Sequence, residues 1–383
     1  MGAVVFVAKE RDALETRVAA SPETVKKMTA LGLDVVVEAG AGLPSQILDD
    51  QFSTAGARIG SAEDAKTADV VLRVRRPQSG EIAALKSGAV VLAQMDPYGN
   101  EAALAELAKA GVTALAMELM PRITRAQSMD VLSSQANLAG YQAVIEATHA
   151  FDRAMPMMMT AAGTVPAAKV FIMGAGVAGL QAIATARRLG AMVSATDVRP
   201  AAKEQVASLG AKFIAVEDEE FKAAETSGGY AKEMSKEYQA KQAALVADHI
   251  SKQDIVITTA LIPGRPAPRL ISAEMLKAMR PGSVAVDLAV ERGGNIEGSK
   301  ANETLGIDGV TVIGIANMAG RIAASASLLY SKNLFTFLET MIDKQTKAVS
   351  VNLDDELVKA TALTHGGAVI HAAFGGEAKK GAA

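Results

Sequence analysis

The stretch that decides the fold is KVFIMGAGVAGLQAIATARRLGAMVSATDVRP, residues 169–200. Gly174, Gly176 and Gly179 have the spacing G-x-G-x-x-G between an apolar run typical of a buried strand and a helix-forming segment. The first glycine permits a tight turn, the second lets a diphosphate approach the backbone, and the third lets the helix pack closely on the strand. The sequence therefore predicts a dinucleotide-binding strand–turn–helix unit, with the phosphates at the free N–H groups of the helix N-terminus.

A second apolar run, residues 191–198, follows the helical segment and contains Asp197, 18 residues beyond Gly179. A carboxylate at this place accepts hydrogen bonds from the hydroxyls of the adenosine ribose, and its charge repels a 2′-phosphate. NAD(H) is therefore expected in preference to NADP(H), while Arg199 works against this preference because guanidinium groups pair with phosphates. Further residues of these two loops that we expect to contact the cofactor are Val177, Ala178, Val198 and Arg199.

Loops after three further strand candidates are expected to complete the cofactor site, because the carboxyl ends of parallel strands share one edge of the sheet. The loop ITTALIPGRPAP places Ala260 and Pro263 near the expected adenosine position. The loop VDLAVERGGN carries Glu291, and IGIANMAG carries Asn317. For the prolines and glycines of these loops, turn formation alone is the alternative role.

Apolar, β-rich runs alternate with helical patterns along most of the chain, which is typical of parallel sheets covered on both faces. The strand candidates are 3–9, 34–40, 69–77, 89–95 and 112–120, and then 169–176, 191–198, 211–217, 254–260, 283–290 and 310–318. The pattern predicts two Rossmann-like, doubly wound α/β domains joined by two long helices, with a cleft between the domains. The expected bounds are 1–130 plus 320–383 for the first domain, 138–318 for the NAD(H)-binding domain, and 131–150 and 320–342 for the helices.

Length and composition limit the possible functions. A chain of 383 residues with 50% hydrophobic content should contain two domains. A net charge of −3 and a pI of about 5.9 argue against nucleic acid as a partner. Cysteine is absent and the four histidines have no metal-binding spacing, so no metal is expected. The start of the chain is too charged for a signal peptide, and no apolar run of about 18 residues lacks a charge, so membrane contact is expected only through a partner.

Two local segments stand out from these patterns. PRITRAQSMDVLSSQ, residues 121–135, is polar although it lies between a buried-type strand and a helix, so it must be solvated or contact a ligand. A purely structural alternative is a solvated connection in which Ser128 or Asp130 caps the helix. MPMMM, residues 155–159, is expected to pack in an adaptable core, because methionine fills irregular apolar gaps.

Several of these segments resemble one known family over essentially the whole chain. They are AMELMPRITRAQSMDVLSSQ, MTAAGTVPAAKV, GAGVAGLQAIATA, ETSGGYAKEMS and TTALIPGRPAP. They are similar to the NAD(H)-binding component of proton-translocating transhydrogenases, a relative of alanine dehydrogenase. The resemblance implies direct hydride transfer from NADH to NADP⁺ held on a partner component. A membrane-spanning component would couple the transfer to proton movement. The resemblance implies no nucleic acid partner. It also implies a homodimer, peripheral at the cytoplasmic face of the bacterial inner membrane.

The same resemblance implies roles for residues of the polar segment. Arg122, Asp130 and Ser133 would hold the nicotinamide carboxamide and nearby ribose or phosphate groups, and Gln127 would face the nucleotide on the partner component. Such a polar set suits an amide ligand, and arginine binds phosphate oxygens in a fork. Tyr230, in residues 225–235, would fold over the bound nucleotide as part of a mobile loop whose adjacent glycines give it freedom.

Two alternatives to this function remain open at the level of sequence. An amino-acid dehydrogenase of the alanine dehydrogenase type needs an arginine, a lysine and a histidine for its substrate; Arg17 fits, but Arg75 and Asp96 stand where the other two are expected. Because arginine stays protonated and aspartate is a weak base, this chemistry is disfavoured. The second alternative is a non-catalytic NAD-binding regulator, against which Arg122, Gln127 and Asp130 argue.

Overall fold

The computed structural model describes residues 2–222 and 235–375 of the chain. The chain divides into two compact units, one formed by Met1–Gln135 with Ala319–Ala383 and the other by Ala136–Met318. Each unit is built on its own sheet, and each sheet is covered by helices from its own part of the chain.

The strands are short and most follow the apolar runs of the sequence. In chain order they are β1 Val4–Val7, β2 Asp34–Glu38, β3 Arg58–Gly60, β4 Val70–Arg75, β5 Val90–Gln94, β6 Thr113–Ala116, β7 Met158–Thr160, β8 Gly163–Val165, β9 Lys169–Met173, β10 Met192–Thr196, β11 Lys212–Phe213, β12 Ile255–Thr258, β13 Val284–Asp287, β14 Glu303–Ile307, β15 Val310–Gly314, β16 Ala362–His365 and β17 Ala368–Val369. The strand candidates of the sequence are each confirmed as strands, but every one of them ends earlier than expected. The sequence missed β3, β7, β8, β14, β16 and β17.

The α-helices cover the faces of the sheets. In chain order they are α1 Pro22–Ala30, α2 Asp49–Thr54, α3 Ser79–Ile82, α4 Glu101–Lys109, α5 Val131–Ala150, α6 Val177–Arg188, α7 Ala202–Ser208, α8 Glu219–Lys222, α9 Lys236–Ile250, α10 Ala273–Ala278, α11 Ala323–Glu339 and α12 Glu356–Thr361. The expected helix 131–150 is confirmed with those bounds. The expected helix 320–342 is shorter, because a 3₁₀ turn, Ala319–Ile322, precedes α11.

The sheet of the first unit has the strand order β17-β16-β6-β5-β4-β1-β2-β3. Strands β1 to β6 are parallel, and β16 and β17 add antiparallel pairs at one edge. Val35, Val36 and Val37 are consecutive and all buried, which requires cover on both faces of the sheet. The α/β class with predominantly parallel sheets is therefore confirmed for this unit.

The sheet of the second unit has the order β11-β10-β9-β12-β13-β15-β14 and is parallel except for β14. Strand β9 lies between β10 and β12, so the chain direction across the sheet reverses at this strand. Ligands of doubly wound sheets bind at such a switch point, outside the carboxyl ends of the strands. The G-x-G-x-x-G segment follows β9 directly and therefore lies at this position.

Helix termini follow the residues that the sequence provides for them. Ser21 and Thr24 form a reciprocal capping box at the start of α1, and Pro22 occupies the first helical position. Gly32, with φ of +87°, ends the turn that follows, a conformation that strongly favours glycine. These local signals therefore fix where the first helix begins and ends.

The methionine-rich segment corrects one expectation. Met155 is buried, but Met157, Met158 and Met159 are 62%, 43% and 80% exposed. The core prediction is therefore wrong for these three side chains, since they lie on or directly before the hairpin β7–β8, whose strands pair only with each other. Hydrophobicity alone could not separate a methionine in a core from one on a surface hairpin.

Candidate functional site

The phosphate-binding loop connects β9 to α6. Gly174 has φ of +107°, and a Cβ at Gly179 would lie 1.8 Å from the carbonyl oxygen of Gly174, so both positions need glycine. Within the described residues, a Cβ at Gly176 would meet no atom within 4 Å, and no side chain caps the start of the twelve-residue helix α6. The loop thus combines an open backbone approach with uncapped N–H groups, which is the arrangement that binds a diphosphate.

The start of α6 also packs closely on α5. A Cβ at Gly140 would lie 2.0 Å from the carbonyl oxygen of Ala178, so only glycine allows this approach. Val177 is 41% exposed beside it, at the first position of α6. The sequence did not assign Gly140 a role, and its signal is a glycine in the middle of a helical pattern, which costs stability unless packing requires it.

Asp197 follows β10 and connects the ribose position to the glycine loop. Its Oδ2 accepts a hydrogen bond of 2.7 Å from the amide of Ala175, and Arg199 donates to both of its oxygens from the guanidinium group. The hydrogen bond to Asp197 is the main reason why the pKa of Arg199 is raised, in opposition to its partial burial. Val198, between the two, is 65% exposed. The carboxylate of Asp197 is thus held at the position where the adenosine ribose of a bound dinucleotide is expected.

The loop after β12 is fixed by a residue that sequence reasoning missed. The side-chain oxygen of Asn295 accepts a hydrogen bond of 3.0 Å from the amide of Ala260, and its Nδ2 donates to the carbonyl oxygens of Ala260 and Pro268, at 2.9 and 2.8 Å. Asn295 is fully buried. Pro263 is exposed in the loop between these two anchors. An asparagine after two glycines predicts a turn, and no local signal shows that it holds a distant loop.

The loop after β13 is organised by a buried carboxylate. Asp287 accepts hydrogen bonds from the amides of Ala289, Asn295 and Ile296 and from the hydroxyl of Ser299. Glu291, one of the expected cofactor residues, is exposed in the 3₁₀ turn Val290–Arg292 that this network supports. Asn317 is half-buried beyond β15. Since β9, β10, β12, β13 and β15 are parallel neighbours, the expected cofactor residues of the second unit follow the strands at one edge of one sheet.

The polar segment of the first unit forms a 3₁₀ turn, Thr124–Met129, and then the start of α5. Asp130 accepts hydrogen bonds from the amide and the hydroxyl of Ser133, at 2.9 and 2.6 Å, so it caps α5. The capping role proposed for Asp130 as the structural alternative is therefore present. Arg122 and Gln127 are exposed on the same segment.

Asn333 of α11 holds this segment, and the sequence did not single it out. Its Nδ2 donates to the carbonyl oxygen of Ser128 at 2.7 Å, and its Oδ1 accepts from the hydroxyl of Ser134 at 2.7 Å. The side chain is almost fully buried. A lone asparagine in the apolar pattern of α11 was the available signal, because a buried amide needs partners. Tyr230, the remaining expected site residue, lies outside the described residues.

The three positions relevant to amino-acid chemistry lie in the first unit. Arg17 is buried and donates from Nε and Nη2 to the two carboxylate oxygens of Glu15, at 2.7 and 2.6 Å, and from Nη1 to Gln135. Arg75 also donates from Nε to Glu15, at 2.8 Å. Asp96 has a left-handed backbone, with φ of +47°, and its amide donates to Glu118. Glu15 thus accepts from Nε and Nη2 of Arg17 and from Nε of Arg75, in the paired geometry that a guanidinium also offers to a substrate carboxylate.

The electrostatics of Glu15 fit this arrangement. Burial opposes its ionisation, but the hydrogen bonds from Arg17 and the charges of Arg17 and Arg75 outweigh that effect and lower the pKa of Glu15 to about 2. Glu15 is therefore a stable carboxylate at neutral pH and a permanent partner of both arginines.

The part of the chain that the structure describes contains no helix with both the length and the apolar composition needed to cross a bilayer.

Comparison with known proteins covers both units. Residues 6–139 match the family model Alanine dehydrogenase/PNT, N-terminal domain, and residues 143–372 match Alanine dehydrogenase/PNT, C-terminal domain. The first part of NAD(P) transhydrogenase subunit alpha from Rhodospirillum rubrum is 54% identical over 380 residues, which is 97% of this chain and 99% of the relative. Alanine dehydrogenase of Halomonas elongata is 30% identical over 381 residues, 96% of this chain and 95% of the relative.

A solved structure extends the similarity to three dimensions. The crystal structure of transhydrogenase from Sinorhizobium meliloti matches with a TM-score of 0.89 at 70% identity, covering 96% of this chain and 100% of that one. Because both family models match and the similarity spans nearly the whole length, the chain belongs to the alanine dehydrogenase/PNT family.

Proposed function

We propose that this chain is the NAD(H)-binding component of a proton-translocating NAD(P) transhydrogenase. One observation carries the choice between the two branches of the family. The second unit keeps an open dinucleotide loop at Gly176, while in the first unit Arg17 and Arg75 are bound to the internal carboxylate of Glu15. A dehydrogenase of free amino acids needs the donors of Arg17 for its substrate, and a lysine and a histidine where this chain has Arg75 and Asp96. Exchange between two nicotinamide nucleotides needs none of these groups.

The chain binds NAD(H) as its cofactor. Gly176 and the uncapped start of α6 receive the diphosphate, and Asp197 receives the adenosine ribose. Ala260, Pro263, Glu291 and Asn317 lie in loops that follow neighbouring strands, where we assign them to the rest of the nucleotide. When bound, the nicotinamide supplies a ring carbon that gives up or accepts a hydride.

Residues of the polar segment act at the nicotinamide end in this proposal. Asp130 and Ser133 form one hydrogen-bonded unit, which fixes their oxygens without a ligand. Arg122 and Gln127 are exposed, so they are available to the nicotinamide nucleotide and to a second nucleotide on a partner. In this proposal the residues of the polar segment orient the two nicotinamide rings and exclude water. Orientation and exclusion of water are what a protein contributes to hydride transfer.

The reaction requires partner components. NADP(H) is held by a separate NADP(H)-binding component, and a membrane-spanning component moves the proton, because the hydride step itself moves none. The chain then works at the cytoplasmic face of a bacterial inner membrane, attached through its partners. The name of the Rhodospirillum rubrum relative, the first part of an alpha subunit, supports the division into components.

The chain also forms a homodimer in this proposal. The hairpin β7–β8 forms its own two-stranded sheet; its residues Met158 and Met159 are exposed, as is Met157 just before it. Isolated two-stranded hairpins are marginally stable in water, and exposed methionine clusters are typical of docking surfaces. Light scattering is expected to give twice the chain mass of 39.5 kDa, and Met159→Glu is expected to shift the mass towards one chain.

A reconstitution tests the proposed activity. The purified chain is mixed with an NADP(H)-binding component, NADPH, NADH and an oxidised NAD analogue with shifted absorbance, and analogue reduction is followed. Reduction in the mixture but not with either component alone supports the proposal. Turnover of alanine with NAD⁺ by the chain alone would instead establish an amino-acid dehydrogenase, and NADH binding without either reaction would establish a regulator.

Gln127→Ala provides the site-specific form of the test. We expect exchange in the mixture to fall about tenfold or more, because small losses of ring alignment cost rate steeply, while the Kd for NADH stays unchanged. Arg125→Ala is the matched control: Arg125 is an exposed residue of the same turn, but its guanidinium pairs with Asp355. Equal losses in both variants would contradict a specific role for Gln127.

A further inference from the structure

The carboxylate of Asp197 is fully engaged before any ribose arrives. Oδ1 accepts hydrogen bonds of 2.9 Å from both the amide and Nε of Arg199, while Oδ2 accepts from the amide of Ala175 at 2.7 Å and from Nη2 of Arg199 at 3.0 Å. An ionised carboxylate has about four acceptor positions, so these donors fill it. The Arg199 guanidinium therefore occupies the positions that ribose hydroxyls need.

The side chain of Arg199 can leave without unfolding the loop. Its own amide donates to Oδ1 independently of the guanidinium, and Ala175 anchors Oδ2 to the glycine loop. The Arg199 side chain is 36% exposed and that of Asp197 only 7%, so the arginine lies on the solvent side of the pair. A ribose thus has to displace a partly exposed guanidinium from a carboxylate that is itself almost buried.

Displacement leaves a charged guanidinium beside the ribose. Without its partner, Arg199 remains protonated, because arginine does not lose its proton near neutral pH. A guanidinium binds phosphate oxygens in a fork, so it attracts a ligand that carries a 2′-phosphate, while Asp197 repels that ligand. The two adjacent side chains therefore act in opposite directions on the choice between NADH and NADPH.

We propose that Arg199 is a specificity-determining residue that competes with the adenosine ribose for Asp197 and weakens the discrimination of the site against a 2′-phosphate. The proposal rests on the proposed function to the extent that Asp197 is taken as the acceptor of the ribose hydroxyls. In this proposal Arg199 competes with the ribose of NADH for the carboxylate of Asp197. The same guanidinium attracts the 2′-phosphate of NADPH.

The test is a pair of fluorescence titrations, with NADH and with NADPH, on the wild-type chain, Arg199→Ala, Arg199→Lys and the control Arg187→Ala. Arg187 is an exposed arginine in the last turn of α6, so its removal gives the same change of net charge far along the helix from the loop. Each titration is carried out at low and at high ionic strength, because screening weakens an exposed ion pair.

For Arg199→Ala we expect the Kd for NADH to fall about two- to fivefold at low ionic strength, and the gain to shrink at high ionic strength. We expect the Kd for NADPH to rise about tenfold, since a charge-assisted contact is lost. Arg199→Lys keeps the charge but not the fork and should lie between the two. Arg187→Ala should match the wild type for both nucleotides.

Two results would overturn the proposal while leaving the cofactor site in place. An equal loss of affinity for NADH and NADPH in Arg199→Ala would make Arg199 an ordinary ligand of the shared adenosine part. Unchanged affinities for both nucleotides would show that Arg199 does not compete. Failure of the wild type and of Arg187→Ala to bind NADH would remove the proposed function itself, and the proposal with it.

Discussion

The side chain of Asn295 binds both polar atoms of the Ala260 peptide group, accepting from the amide at 3.0 Å and donating to the carbonyl oxygen at 2.9 Å. With a third bond, to the carbonyl oxygen of Pro268, it closes the loop 260–268 at both ends. The loop that follows β12 is thus held in place by a residue that follows β13.

Asn295→Ala should therefore weaken NADH binding as well as stability. The lost partners of Ala260 and Pro268 should cost about 2 kcal/mol in the free energy of unfolding, and we expect the Kd for NADH to rise about tenfold. Gln253→Ala is the matched control, because Gln253 is also a buried amide but lies at the opposite ends of the strands, where it donates to the carbonyl oxygen of His249. Equal effects of both variants on the Kd would show that Asn295 acts through stability alone.

Two substitutions in the glycine loop should separate the effect on NADH binding from the effect on stability. Gly176→Ala should leave the melting temperature almost unchanged, because the added Cβ meets open space, but it should raise the Kd for NADH about tenfold by blocking the diphosphate. Gly179→Ala should lower the melting temperature as well, since its Cβ would lie 1.8 Å from a backbone oxygen. Calorimetry and NADH titration check both. Tight NADH binding by Gly176→Ala would contradict the assigned phosphate position.

Glu15→Gln should destabilise the first unit in a pH-dependent way. At neutral pH the variant leaves the buried Arg17 without its counter-charge, which should cost about 3 kcal/mol in the free energy of unfolding. Because the folded pKa of Glu15 is lowered from 4.5 to about 2, this contribution is complete above pH 4.5 and disappears as the pH falls through this range. Urea unfolding of both proteins from pH 7 down to the acid limit measures the difference.

The control for that experiment is Glu23→Gln. Glu23 pairs with Lys27 and Lys332 at the surface, where ion pairs contribute little. Its variant should differ from the wild type by less than about 1 kcal/mol at neutral pH. A difference between Glu15→Gln and the wild type that stays constant with pH would show that the lowered pKa is not the source of the stability.

Asp130 has two roles that substitutions can separate. Asparagine also caps helices, so Asp130→Asn should keep the melting temperature within a few degrees of the wild type, whereas Asp130→Ala should lose about 1 kcal/mol of stability. If the carboxylate also holds the nicotinamide end, both variants should reduce hydride exchange about tenfold or more in the reconstituted mixture. Full activity of Asp130→Asn would reduce the carboxylate to a cap.

The sequence predicted the parts of the fold that local patterns determine. The glycine spacing located the turn between β9 and α6, and the polar segment followed by a helical pattern located α5. Short edge strands escaped prediction because they depend on their neighbours: β16 joins the sheet through Thr364, whose hydroxyl donates to Val112 and accepts from the amide of Ala114. The predicted strands were too long because the runs of apolar residues continue beyond the strand ends into turns, as they do after Gly314.

The candidate site was predictable only where one segment supplies its own chemistry. Gly174, Gly176 and Asp197 belong to one strand–turn–helix–strand unit, so their spacing is informative. Asn295 and Asn333 hold loops distant in sequence, and the partnership of Arg199 with Asp197 depends on a rotamer that no sequence pattern specifies. Tertiary contacts decide these positions, and no local spacing encodes them.

The measurement that tests the central claim most directly is the fate of deuterium from NADH doubly labelled at the nicotinamide C4. The chain is mixed in ordinary water with the NADP(H)-binding component and NADP⁺, and the NADPH produced is analysed by mass spectrometry. Direct hydride transfer predicts one deuterium in each NADPH molecule formed and none released into the solvent. Unlabelled NADPH with deuterium in the water, or no NADPH at all, would contradict the account.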